Sequence, residues 1–149
     1  MADLSRFADG SFDLIFHPCS NCFVPDVHAV WRECFRVLRP GGVLLAGFLN
    51  PLYYLFDGET ADAESRLQVR YKLPCSDLDH PDDPSVKARL ARGEAIEFSH
   101  TLADLVGGQL RAGFLLADMY EDGWSDEATL LNRYCATSMA TRAVRPVVK

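Results

Sequence analysis

Two short runs of almost purely apolar residues, Phe12 to His17 and Val43 to Phe48, bracket an amphipathic stretch and leave the chain few ways to fold. Strands apolar on both sides belong inside a sheet covered on both faces, and two of them joined through a helix become parallel neighbours. Between them, Asp26 to Leu38 carries Val27, Val30, Trp31, Cys34, Phe35 and Leu38 at spacings of three and four. Arg32, Glu33, Arg36 and Arg39 take the other side, which is the pattern of a helix with one buried stripe. Pro25 and Asp26 suit its start, and Arg39-Pro40-Gly41-Gly42 suits its end and a turn. The unit reads as strand, helix, strand with a right-handed crossover. In open α/β sheets ligands sit beyond the carboxyl ends of the strands, here His17 to Phe23 and Phe48 to Tyr54.

Around this unit stand Met1-Ala2-Asp3-Leu4, Asp9-Gly10-Ser11-Phe12-Asp13 ahead of the first strand, and Val37-Leu38-Arg39-Pro40-Gly41-Gly42 ahead of the second. Taken together, Met1 to Phe48 resembles the second half of a class I S-adenosylmethionine-dependent methyltransferase domain. The resemblance implies an α/β fold containing the fourth to seventh strands of a Rossmann-like methyltransferase sheet. It also implies S-adenosyl-L-methionine as cofactor and methyl transfer to a small-molecule acceptor. It places Met1, Ala2, Asp3 and Leu4 along the adenine, and His17, Pro18, Ser20 and Asn21 near the adenine or the methionine tail. No segment matches the family's glycine-rich loop or the acidic residue that ends its second strand. The chain is therefore expected to be a truncated domain over 1–149 that binds the cofactor weakly or not at all by itself. In the family order the Phe12 to His17 strand lies mid-sheet; here it becomes an edge, expected to self-associate or to pair with an amino-terminal half. A cofactor-free remnant or interaction protein that pairs through that edge is the alternative reading.

The 149 residues, 48% hydrophobic and 11% aromatic, have the size and composition of one globular domain. With 21 acidic against 15 basic residues the net charge is -6, and there is no basic run to bind nucleic acid. No apolar stretch reaches the roughly 18 to 20 residues of a membrane span, and MADLSRFADG has no apolar core of a signal peptide. Five cysteines, odd in number and unevenly placed, fit a reducing cytoplasm. Cys19 and Cys22 lie beside His17, but a zinc site wants a second ligand pair. Cys34 belongs to the apolar helix face and His28 to another turn, so no metal is expected.

His17 ends the first strand where the crevice opens and can act as a general base near neutral pH. Methyl transfer from a sulfonium, however, chiefly demands an aligned nucleophile and a dry site, so a base is optional. Ser20 and Asn21 either donate hydrogen bonds to a ligand or only cap the loop. Asn50 to Phe56 is aromatic-rich and either lines a pocket or packs under a lid.

Residues 57–99 read as an inserted segment on the substrate side. Leu67, Val69, Tyr71 and Leu73 alternate with Arg66, Gln68, Arg70 and Lys72, which predicts a strand, and Glu94 to Ser99 is its expected antiparallel partner. Pro84 to Arg92 predicts a short helix ended by Gly93. Beyond the insert, Thr101 and Asp104 form a capping box for a helix carrying Leu102, Leu105, Val106 and Leu110 that stops at Gly113. Phe114 to Tyr120 predicts a strand, Glu121-Asp122-Gly123 a turn, Ser125 to Leu131 a helical stretch and Tyr134 to Val144 the last strand. The chain has no glycine-rich dinucleotide fingerprint, phosphate loop or G-x-S-x-G, which argues against dehydrogenase, nucleotide-hydrolysing and esterase-type chemistry.

Overall fold

A computed structural model describes residues 2–147, leaving aside the side chains of residues 59, 60 and 62. β1 (Phe12–His17), α1 (Val27–Val37) and β2 (Leu38–Leu49) form the expected unit, with β1 and β2 adjacent and parallel. Asp26 caps α1 by accepting from the backbone N–H groups of His28 and Ala29, two of the donors a helix start leaves without internal partners. The inner stripe of α1, with Trp31 and Val37 fully buried, packs on β2.

The Pro-Gly-Gly turn proves to be an excursion inside a longer strand. Phe12 pairs with Leu38 and Leu14 already with Val43, so Arg39 to Gly42 bulge out of the ladder. Gly41 supplies the positive φ of 81°. Arg145, far along the chain, holds the bulge in place. Its guanidinium donates to the carbonyls of Phe35, Arg36 and Leu38, while its backbone exchanges hydrogen bonds with Gly41 and Gly42.

After β2 come α2 (Gly58–Glu64), α3 (Pro84–Ala91), α4 (Leu102–Ala112), β3 (Leu115–Asp122) and β4 (Ser138–Val144). The sheet order is β1-β2-β4-β3, with β4 antiparallel to both β2 and β3. α4 joins α1 on one face, over Leu44, Ala46, Phe48, Met139 and Ala143. Thr101 and Asp104 form the expected capping box, and Gly113 ends α4 in the left-handed region with φ 106°. Gly108 has a packing role in that helix: a Cβ there would lie 2.7 Å from Trp31 Cδ1, so the glycine lets α1 and α4 approach. Trp31 Nε1 donates to the Asp104 carbonyl at 3.0 Å across the same contact.

Apolar strands predict cover on both faces, but α1 and α4 pack together on one of them. Leu14 (53% exposed) and Phe16 (72% exposed) stand on the other, in register with Val43 and Leu45. β1 is also an edge, as expected. The opposite edge, β3, carries Asp118, Glu121 and Asp122 exposed along its length.

The inserted antiparallel strand pair does not form. Leu67 to Leu73 and Glu94 to Ser99 each make one isolated bridge, Phe56 with Val69 and Ser76 with Phe98, and do not pair with each other. Alternation sets which side chains share a face, but a strand also needs a neighbouring backbone, and here the outward Arg70 is drawn into ion pairs instead. The segment contains α2 and α3, the latter capped by Asp83 and followed by Gly93 at φ 80°. Arg70 bridges Asp57 at 2.8 Å and Asp83 at 3.2 Å, Tyr71 Oη donates to Asp83, and Arg89 pairs with Asp77.

Three boundaries near the carboxyl end also differ. β3 runs on through Glu121 and Asp122, β4 begins at Ser138 instead of Tyr134, and Ser125 to Leu131 forms no α-helix, a 3-10 turn, Leu130–Arg133, starting only at its end. Among the described residues no helix is long and apolar enough to cross a membrane.

Candidate functional site

At the carboxyl end of β1 the chain turns at Pro18 into a loop that closes over β2. His17 faces the helices and is buried, with its ring 5.8 Å from that of Trp31. Its Nδ1 lies 3.1 Å from the Pro18 carbonyl and 3.3 Å from Ser20 Oγ. Nε2 is buried and has no hydrogen-bond partner among the described residues. Burial lowers the pKa of the ring, so it is neutral at pH 7. Ser20 Oγ donates to the Pro18 carbonyl at 2.9 Å, the loop-capping role. Pro18 itself is exposed.

Asn21 is the unusual residue of the loop. Its carbonyl accepts from His100 Nε2 at 3.1 Å, which ties the loop to the end of the 57–99 segment. Its side chain is 2% exposed, yet neither the amide nitrogen nor the oxygen has a partner. A buried carboxamide without partners costs about 1–3 kcal/mol per unsatisfied group, a cost that a water or a ligand atom in the adjoining recess would offset. The recess it shares with Cys19, Phe48 and Leu105 measures about 10 Å³, room for roughly one water. An adenosyl group does not fit there, and the residues present do not by themselves build a site for that cofactor.

Of the amino-terminal candidates, Met1 lies outside the described residues, and Ala2 and Asp3 are exposed. Leu4 is held by its backbone: its N–H donates to Glu33 at 2.8 Å and its carbonyl accepts from Arg36 at 3.0 Å. Those side chains lie on a different face of α1 from Trp31, against which His17 rests. The hydrogen bonds of the described residues do not bring Ala2 to Leu4 together with the His17 to Asn21 loop.

Cys19 and Cys22 flank Asn21. Burial pushes both thiols up, Cys22 to about 11, so neither is a thiolate at neutral pH. Among the described residues no three His, Cys, Asp or Glu side chains converge as metal ligands.

After β2, Asn50 anchors the aromatic stretch: its side chain accepts from Leu52 N–H and donates to the Ala136 carbonyl. The 3-10 turn Pro51–Leu55 that follows sets the Tyr53 and Tyr54 rings edge to face, 5.6 Å apart. Tyr54 is a wall between two spaces. On one side is the small recess of Asn21; on the other is a cavity of about 310 Å³ roofed by the 57–99 segment. Glu97, Arg89 and Asp77 line that cavity, and sequence reasoning does not select them. Nothing local marks them, because a turn, α3 and an irregular stretch meet only in the folded chain. The aromatic run is the one legible signal.

Residues 1–46 match the family model described as a methyltransferase domain. Over 145 residues the chain is 41% identical to the uncharacterized methyltransferase YbaJ of Bacillus subtilis, a match covering 97% of this chain and 55% of that protein. It is 28% identical over 109 residues to methyltransferase phqN of Penicillium fellutanum, covering 73% of this chain and 27% of that one. The chain thus spans about half the length of YbaJ and less of phqN. Among solved structures, an S-adenosylmethionine-dependent methyltransferase from Mesorhizobium loti superposes with a TM-score of 0.66 at 18% identity, over 93% of this chain and 64% of that one. A second, from Methanosarcina mazei, gives a TM-score of 0.60 at 18% identity, over 99% and 65%.

Proposed function

We propose that this chain belongs to the class I S-adenosylmethionine-dependent methyltransferase family, a reading supported by the match of residues 1–46 to the methyltransferase domain model and by the 41% identity to YbaJ. In our reading it forms the acceptor side of a methyltransferase acting on a small molecule, and one wall of the S-adenosylmethionine site. The observation that carries this is the pair of buried polar groups without partners, the Asn21 carboxamide and His17 Nε2, at the crevice end of β1. The recess at Asn21 admits one water or one polar atom of a ligand, and the neutral His17 ring adds no charge there. The remaining contacts to the cofactor come, on this proposal, from an amino-terminal half seated along the β1 edge and over the open face of Leu14 and Phe16. The 149-residue chain alone then binds the cofactor weakly or not at all, because several directed contacts of about 1 kcal/mol or more each are missing.

Titration calorimetry with S-adenosylmethionine and with its demethylated product tests this. The chain alone should show no binding tighter than about 1 mM, and a longer protein carrying an upstream half should bind at micromolar levels and lose affinity on Asn21→Leu. Micromolar binding by the chain alone overturns the division of labour.

The exposed apolar edge favours a second reading, an interaction protein that pairs through β1. Sedimentation over a range of concentrations separates the two. A compact monomer without concentration dependence defeats pairing between copies of the chain.

A further inference from the structure

The cavity behind Tyr54 has a chemistry of its own. At about 310 Å³ it lies at the lower end of small-molecule sites, which run from about 300 to 1,000 Å³. Tyr53, Tyr54, Phe56 and Tyr71 give it aromatic walls. Four carboxylates, Asp57, Asp77, Glu94 and Glu97, line it against one arginine, Arg89.

Three of those carboxylates are engaged by short contacts. Asp57 is held by Arg70 at 2.8 Å and Glu94 by Arg92 at 2.7 Å. Asp77 binds Arg89 and also accepts from the Glu97 backbone N–H. Glu97 is different. Its carboxylate pairs with Arg89 Nη1 at 3.8 Å, longer than a hydrogen bond, while Nη2 of the same guanidinium binds Asp77. Burial pushes the Glu97 carboxyl above the usual carboxylate range, opposed by Arg89 and Tyr54 and assisted by Asp77 and Glu94. Tyr54 Oη, buried and without an ordinary hydrogen bond, lies beside both Glu97 and Cys22. On the far side of the same ring is the Asn21 carboxamide, itself without partners.

An incoming anion would meet four carboxylates against one arginine shared between Asp77 and Glu97. Glu97, paired only at 3.8 Å, has the longest ion pair of the four. A compact cation can approach that carboxylate and rest on the electron-rich faces of the tyrosines. We infer that this cavity binds a small organic cation, a protonated amine held between Glu97 and the tyrosine rings, and that the methyl acceptor belongs to this class. The assignment to an acceptor rests on the methyltransferase reading; the binding itself does not.

The test titrates four probes of one size into the 149-residue chain, followed by amide chemical shifts: phenethylamine, benzyltrimethylammonium, phenylacetate and phenethyl alcohol. Both cations should bind at least about tenfold more tightly than the anion and the alcohol, with shifts at Tyr54, Arg89 and Glu97. Glu97→Gln, which keeps shape and removes charge, should reduce that preference to less than about threefold. Asp82→Asn, at an exposed carboxylate outside the cavity lining, should leave it intact. Equal or tighter binding of phenylacetate, no binding of either cation, or an unchanged preference in Glu97→Gln overturns the inference. The wild-type panel decides even if a variant fails to fold. A protein that methylates acids or phenols and ignores amines overturns this inference and leaves the methyltransferase reading standing. Amine binding without any donor binding in the longer protein does the reverse.

Discussion

The sheet with α1 and α4, and the 57–99 segment beside it, are held together by opposite means. In the first region Trp31, Val37, Leu38, Leu44 and Ala143 have no exposed surface. In the second, only Ala61 and Val86 are buried apolar residues among those described, while Asp57, Asp77 and Ser99 are buried polar ones. The first region is stabilised by removing apolar surface from water, the second by ion pairs and caps around buried carboxylates. Such a division suits a rigid platform carrying a ligand-binding attachment, because segments that must admit a ligand come from the less stable part of a fold.

The comparison is broken most forcefully from the core side. Trp31→Ala removes a fully buried indole and its hydrogen bond to Asp104, and should cost about 3–5 kcal/mol, enough to unfold the domain, read by urea denaturation. If the chain stays folded with an unchanged midpoint, the α1–α4 contact is not its core. Gln109→Leu comes next. Gln109 Oε1 accepts from Thr141 Oγ1 at 3.0 Å in a fully buried setting, so the leucine should cost about 1–3 kcal/mol by leaving the threonine without its partner. Adding Thr141→Val should recover much of that loss.

Arg70→Met probes the other region. It removes the ion pairs of Asp57 and Asp83, so thermolysin should cut within 57–99 at least about tenfold faster while the global midpoint hardly moves. A full loss of cooperative unfolding would show that the two regions are one unit.

The smallest effects are those of pH, and they have opposite signs. His17 has a lowered pKa in the fold, so below 6.5 the unfolded chain binds more protons and stability falls as pH drops through that window. Glu97 has a raised one, so the folded state holds the extra proton just above 4.5 and stability falls as pH rises there. His17→Gln should flatten the first slope. Glu97→Gln should flatten the second and leave the protein more stable at pH 7, the mark of a residue kept for something other than stability. Urea midpoints across pH check both.

The same contrast explains what can be read from residue order. Val27, Val30, Trp31 and Cys34 announce α1 by spacing alone, and Thr101 with Asp104 announces the start of α4, because both signals are local. The Arg39 to Gly42 bulge reads as a plain turn because the residue that holds it, Arg145, is remote: one of the carbonyls it grips, that of Phe35, lies 110 positions away. The alternation of Leu67 to Leu73 is real but meets a second backbone only at the single bridge of Val69 with Phe56, while Arg70 turns to the carboxylates Asp57 and Asp83. In the site, His17 and Asn21 are legible from their place after β1, and Tyr53 and Tyr54 from an aromatic run. Glu97 and Arg89 are not, since a cavity assembled from distant, irregular segments leaves no period in the sequence.

The two margins of the sheet are unlike. β3 displays three carboxylates, which repel an approaching strand, whereas β1 offers an apolar ladder whose one acidic side chain, Asp13, is paired with Arg39. Growth by strand addition is therefore directional. If two copies meet through β1 about a twofold axis, each consumes the only margin it can extend from, and the assembly is self-limiting: it closes as a dimer and does not propagate into a fibre.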